Sequence, residues 1–181
     1  MFLAGIKEPN VNDKIFILKT QYDRQFAASS YRNDDSAPPY SRYWRYSHSE
    51  DPEIDPSSWY AAVQDPNQWI QVTFDVLKIF DEVEISPTQQ SGAGPREYVR
   101  ASTLYCGLVD FSVRAVGTLH MESPTRTIFP VGMWYCRTVR LVIHTWQLAI
   151  GLRWEIREII GLYLFLQFNL KHFPYELNKD F

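Results

Sequence analysis

At 181 residues the chain is long enough to bury one sandwich-sized core without metals or staples. Eighteen basic residues stand against twenty-one acidic ones, a net charge of -3 that offers no positive field to gather nucleic-acid phosphates or an anionic bilayer. Aromatic residues make up 15% of the sequence, which suits a sheet protein because flat side chains pack well on a pleated surface.

Residues 1–24 read as an N-terminal arm. Its one strand-like run, Ile15-Phe16-Ile17-Leu18 between Lys14 and Lys19, is either an extra strand on a sheet edge or a segment that docks on a partner. The first nine residues include Lys7 and Glu8 and hold no apolar core of signal-peptide length, and no later run is apolar for long enough to cross a bilayer. Only two cysteines occur, Cys106 and Cys136, far apart and without metal-ligand spacing, and there is no Asn-x-Ser/Thr acceptor. Cys106 is expected as a buried structural residue, not as a thiol nucleophile. These features give the expectation of an intracellular protein, soluble or bound in an assembly.

A loop rich in Asp, Pro, Ser and Tyr then runs up to Trp59. It carries Tyr31, Arg32, Tyr40, Arg42, Trp44 and His48. Rings that give contact area at low entropy cost and guanidinium groups that give directional hydrogen bonds suit sugars, carboxylates or a protein hot spot. The same aromatics could instead fold back over the end of the domain. Asp65-Pro66-Asn67-Gln68 supplies a turn, and Trp69-Ile70-Gln71-Val72-Thr73-Phe74 alternates with period two, a strand with Ile70, Val72 and Phe74 on one face. Trp59 and Trp69 sit on or beside patterned strands and are expected in the core. Residues 76–85 are expected to form the next strand pair, and 86–96, with Gly92, Gly94 and Pro95, a flexible loop. Arg137-Thr138-Val139-Arg140-Leu141-Val142-Ile143 and Ile150-Gly151-Leu152-Arg153-Trp154-Glu155-Ile156 read as further strands.

The Trp59 to Phe74 run and the 137–156 run together resemble the discoidin domain, also called the coagulation factor 5/8 C-type domain, of galactose-binding-like fold. The resemblance covers residues 25–161 and is weakest between Cys106 and Ile128. It implies an all-β jelly-roll β-sandwich, opened by Ala27-Ala28-Ser29-Ser30, with 98–105 as its central strand and 111–116 as that strand's partner. It also places the 31–48 and 86–96 loops at the ligand-binding end, adding Arg96 to the candidate residues. Members that bind phospholipid insert bulky apolar side chains there. Gln89-Gln90-Ser91-Gly92-Ala93-Gly94 has none, so membrane insertion is not expected. Where the family carries Gly-Asn-x-Asp, this chain has Thr118-Leu119-His120-Met121-Glu122-Ser123-Pro124, too few oxygen ligands for calcium, and no metal is expected. Leu162 replaces the closing cysteine that follows Gly161 in extracellular members. Arg140, Arg153 and Glu155 then read as a structural ion-pair and hydrogen-bond network.

Residues 162–181 extend past the domain end with Leu162, Phe165, Phe168 and Phe173, too apolar to float free; they pair with the arm at the sandwich edge or pack on another protein. Nucleophile elbows, phosphate-cradling glycine loops and His-Glu-x-x-His are absent from the sequence, and no cofactor is expected. The reading is a non-enzymatic interaction module, a structural subunit of a larger intracellular protein assembly such as a cytoskeletal, ciliary or organellar one. The alternative is a lectin-like carbohydrate-binding domain that uses the loop end.

Overall fold

Alternation of apolar and polar residues is the organising signal, and in this computed structural model, which describes residues 14–42, 58–88, 97–108 and 113–159, it produces strands throughout. In chain order they are β1 (Lys14–Phe16), β2 (Phe26–Ala28), β3 (Trp59–Tyr60), β4 (Trp69–Ser86), β5 (Tyr98–Gly107), β6 (Val113–His120), β7 (Thr127–Gln147) and β8 (Gly151–Ile159). Short 3-10 turns at Leu18–Thr20, Asp23–Gln25, Asp34–Ser36 and Pro38–Ser41 join the early strands. Among the described residues no helix is long and apolar enough to cross a membrane.

The architecture depends on two strands that belong to both layers. Residues 69–73 of β4 pair with β2 and with residues 138–142 of β7, whereas residues 78–85 pair with β8 and with residues 127–136 of β7. Between these halves the register shifts, and Asp75, Val76 and Leu77 turn outward to solvent. Arg137 donates to the carbonyls of Phe74 and Asp75 at 3.4 Å each, fastening the corner. One layer is therefore β2-β4-β7-β5-β6 and the other β1-β8-β4-β7, all antiparallel, which is a jelly-roll β-sandwich. The expected strand pair over 76–85 is instead the second half of one strand that begins at Trp69, and the 137–143 run is likewise the second half of a strand that begins at Thr127. A bulge makes such bends without ending a strand. A second register shift lies between Phe80 and Glu82, opposite Trp134 and Pro130, and there Gly132 takes φ +74°.

Ile70, Val72 and Phe74 of β4, Leu104 of β5, Val139, Leu141 and Ile143 of β7, and Trp154 and Ile156 of β8 fill the space between the layers. Trp59 is fully buried with them, as expected. Trp69 is only half-buried, because it lies on the outer face of β4, where the Arg140 guanidinium covers its ring at 4.3 Å. Arg140 also donates to Gln71 Oε1 at 2.8 Å, so its partners are an amide and a ring. Glu155, fully buried, accepts from the backbone N–H of Leu18 at 2.6 Å, and Glu84, also fully buried, pairs with Arg126 and with Arg157.

That Glu155 bond anchors the arm. β1 pairs with β8 in the register Ile15 to Glu158 and Phe16 to Arg157, and Ile17 and Leu18 are buried beside it. Of the two expectations for the arm, the structure realises the edge strand. Cys106 and Cys136 form a disulfide between β5 and β7 with a Cα separation of 5.5 Å, within the usual range for the bond. Both are buried, as expected for Cys106, and the bond between them goes beyond that expectation. It also removes the cysteine argument for a reducing compartment, since structural disulfides belong to oxidising ones. Residues 162–181 lie outside the described residues.

Candidate functional site at the loop end

The register puts the loops at one end: β2 leaves there, β4 both starts and finishes there, and β7 turns there into β8. Ser30 is the junction. Its hydroxyl donates to Gln68 Oε1 at 2.6 Å and accepts from the Ala62 N–H at 3.1 Å, while its carbonyl accepts from Trp59 Nε1 at 2.9 Å. Asp65 Oδ1 accepts from the Asn67 N–H at 2.9 Å and from Gln68 Nε2 at 2.8 Å, the aspartate turn that the Asp-Pro-Asn-Gln motif encodes. Gln64 reaches across to the next hairpin, accepting from the Ile150 N–H at 2.5 Å. A rigid floor results for the side chains above it.

On that floor stands Tyr60. Its carbonyl accepts from the Arg32 N–H at 2.9 Å, and the Arg32 guanidinium lies 4.8 Å from the centre of its ring. Its hydroxyl lies near the side chains of Thr88 and Glu97. Burial pushes the Tyr60 phenol above its ordinary range; Thr88 opposes the rise, the Glu97 carboxylate adds to it, and Arg32 lowers it least. Thr88 in turn binds the Glu97 carbonyl through its N–H at 3.1 Å and its hydroxyl at 3.0 Å, closing the base of the 89–96 loop. Gly151 is what lets the ring in: a Cβ there would lie 2.5 Å from the Thr88 methyl and 2.8 Å from the Tyr60 ring.

Arg32 is exposed, and among the described residues its only partner beyond the backbone is the Tyr60 ring. A guanidinium fork and the Glu97 carboxylate thus both lie close to one phenol, bringing donors and acceptors together. Tyr31, 47% exposed, stands next to Arg32 in the chain. At the same end Leu148, 60% exposed, has φ 65° and is the central residue of a tight turn closed by the Ala149 N–H donating to the Gln147 carbonyl at 2.8 Å. A branched residue in that conformation is strained and is held there by its surroundings.

Arg42 is placed differently from its grouping with the contact residues. It is 5% exposed, and its guanidinium donates to the carbonyls of Pro39 at 2.9 Å and Gln21 at 2.5 Å and pairs with Asp23. Its job is to bind the Pro38–Ser41 turn to the arm, so it supports the loop from beneath. Tyr40 is half-buried in the same turn. Trp44, His48 and Arg96 lie outside the described residues. Tyr60, Thr88, Glu97 and Leu148 are not among the sequence candidates. Nothing in their neighbours marks them, since the cluster forms across three separate connections; only Tyr60 falls within a run that carries the resemblance, Trp59 to Phe74.

The fold is the discoidin-like, galactose-binding-like β-sandwich. Among solved structures, discoidin II from Dictyostelium discoideum aligns with 74% of this chain at 18% identity and a TM-score of 0.61, the alignment spanning 54% of the discoidin II chain. The family 32 CBM of NanJ from C. perfringens, solved in complex with galactose, aligns with 81% of this chain and 100% of its own at 9% identity and a TM-score of 0.57. A chitosan-binding module from a Paenibacillus sp. IK-5 chitosanase/glucanase aligns with 72% of this chain and 92% of its own at 14% identity and a TM-score of 0.53. No family model and no curated protein sequence matches the chain.

Proposed function

We propose that the chain is a non-enzymatic carbohydrate-binding module whose loop end holds a sugar against Arg32, Tyr60 and Glu97. One observation carries this: an exposed guanidinium over the ring and a carboxylate near the hydroxyl converge on one half-buried tyrosine, whose ring needs the space left by Gly151. Vicinal sugar hydroxyls need donors and acceptors presented together, and an exposed ring such as Tyr31 offers a face for the C–H side of a pyranose. Modules of this fold have been solved with galactose, with GalNAc-beta-1,3-galactose and with an unsaturated mannuronic acid, so the fold accommodates sugars without choosing among them.

The test is binding to a panel of neutral, amino and acidic glycans, followed by titration of the best one against Arg32→Ala and Glu97→Gln. Each variant is expected to weaken binding at least about tenfold, the loss of one hydrogen bond to a charged group, while its melting temperature stays within a few degrees. Retained affinity in both variants would end the proposal. The competing reading, a subunit of a protein assembly docked through Leu162, Phe165, Phe168 and Phe173, has in its favour the exposed Val76, Leu108 and Met133 at the opposite end of the sandwich. Its intracellular setting sits poorly with the Cys106–Cys136 bond.

A further inference from the structure

The two layers differ in charge. The strand residues that build the β2-β4-β7-β5-β6 layer, 26–28, 69–74, 98–107, 113–120 and 137–147, include four arginines and two histidines and no Asp, Glu or Lys, although the whole chain is net -3. The acids stand in the other layer, at Asp81, Glu82, Glu84, Glu155 and Glu158. Ile70, Val72, Leu104 and Leu141 point between the layers, so alternation turns Gln71, Arg140 and Tyr105 outward in one row and Trp69, Val142 and Thr103 in the next. Arg140, half-buried, is the centre of that outer face. Its guanidinium lies on the Trp69 ring at 4.3 Å and its Nε donates to Gln71 Oε1 at 2.8 Å, which fixes the plane of the fork. Among the described residues neither Nη of Arg140 has an acceptor. Tyr105 stands opposite it on β5, and just beyond the second row exposed His144 meets Thr103 Oγ1 through Nε2 at 2.7 Å.

We infer that this outer face is a second binding surface, separate from the loop end, and that its ligand is a polyuronate, an acidic polysaccharide with a carboxylate on each sugar. A guanidinium whose Nε is already taken presents its two Nη groups end-on, and that edge matches the two oxygens of a carboxylate. With no acid on the strands of the layer, none of their side chains competes for the fork or repels the ligand. The groups around it are hydroxyls, an imidazole and two rings, which suit the hydroxyls and C–H faces of a sugar chain. β2 and β6 bound the face four strand spacings apart, about 19 Å. Their outward residues Ala27, Ala115 and Thr118 are small and exposed, which leaves the way across the face open to a chain several sugars long. A nucleic-acid duplex or an anionic bilayer is gathered by a wide field of mobile cations, and these strands hold no lysine.

The experiment is calorimetric titration of the full chain with polygalacturonate in low salt, beside dextran, dextran sulfate and a DNA duplex. Polygalacturonate is expected to bind more tightly than any of the other three, at least about tenfold more tightly than neutral dextran, and Arg140→Gln is expected to weaken it at least about tenfold. Ala115→Glu, which places a competing carboxylate in the same row as Arg140, is expected to weaken it at least about threefold. Ala115 is exposed, so this variant keeps its melting temperature and carries the test should Arg140→Gln unfold. Four outcomes overturn the inference: no binding of polygalacturonate; equal binding of dextran; tighter binding of dextran sulfate or DNA, which would make the face a general polyanion surface; or affinity kept in both face variants and lost in Arg32→Ala. That last result would put the polyuronate at the loop end and leave the reading of that end standing.

Discussion

At the scale of single residues, Tyr60 couples the candidate site to pH. Its phenol, with an ordinary value of 10.0, is raised in the folded protein by burial first and by the Glu97 carboxylate next. The folded state therefore holds this proton more tightly than the unfolded chain does. The associated stability is fully present below the unfolded value of 10.0 and is lost as pH rises through the higher folded one. Urea midpoints taken between about pH 8 and 11 should fall with pH in the native chain, and Tyr60→Phe should make that fall shallower. Unchanged slopes would show that the hydroxyl meets solvent in both states. The same residue shows what a sequence can hide. Tyr60 reads as one more aromatic beside a core tryptophan, and Glu97 as one acid near a loop; their meeting depends on Gly151 leaving room for a ring. Arg42 is misgrouped for the converse reason. A guanidinium among tyrosines reads as a ligand donor, and only the fold shows that Pro39, Gln21 and Asp23 already take its hydrogen bonds.

At the scale of the element, period-two alternation identifies nearly every strand but not their lengths. Strands usually run only a few residues, so the polar interruption at Asp75 reads as an end. It is a corner, where the strand moves from one layer to the other and its alternation restarts. Gly132, at the second register shift of β7, has φ +74° and no heavy atom near the position a Cβ would take. Its requirement is thus conformational and not steric. Gly132→Ala should cost about 1–2 kcal/mol, the usual difference for a side chain forced into the left-handed region. Chemical denaturation measures it directly. A neutral or stabilising substitution would mean that β7 can straighten at this bulge, and the pairing of Pro130 with Glu82 would then have to be loose.

At the scale of the whole molecule, the sandwich has a polar loop end with fixed charges and an apolar far end with a covalent clamp. The Cys106–Cys136 bond joins β5 to β7 across a sequence separation of 30 residues. Closing a loop of that length removes unfolded-state entropy worth about 3–4 kcal/mol, and for a chain of this size that corresponds to a melting shift of roughly 10 °C. Reduction of the native protein, or the paired substitution Cys106→Ala with Cys136→Ala, should produce that shift. Affinity at the loop end should stay unchanged, because Arg32, Tyr60 and Glu97 take their geometry from β3, Gly151 and the Thr88 clasp. Thiol titration of the denatured, unreduced chain should find no free cysteine, and two after reduction. A chain with two free thiols and an unaltered melting temperature would return it to a reducing compartment, and with it the reading as an intracellular assembly subunit. The expected pair of results separates the two functional readings by a property of the fold, whichever sugar the loop end holds.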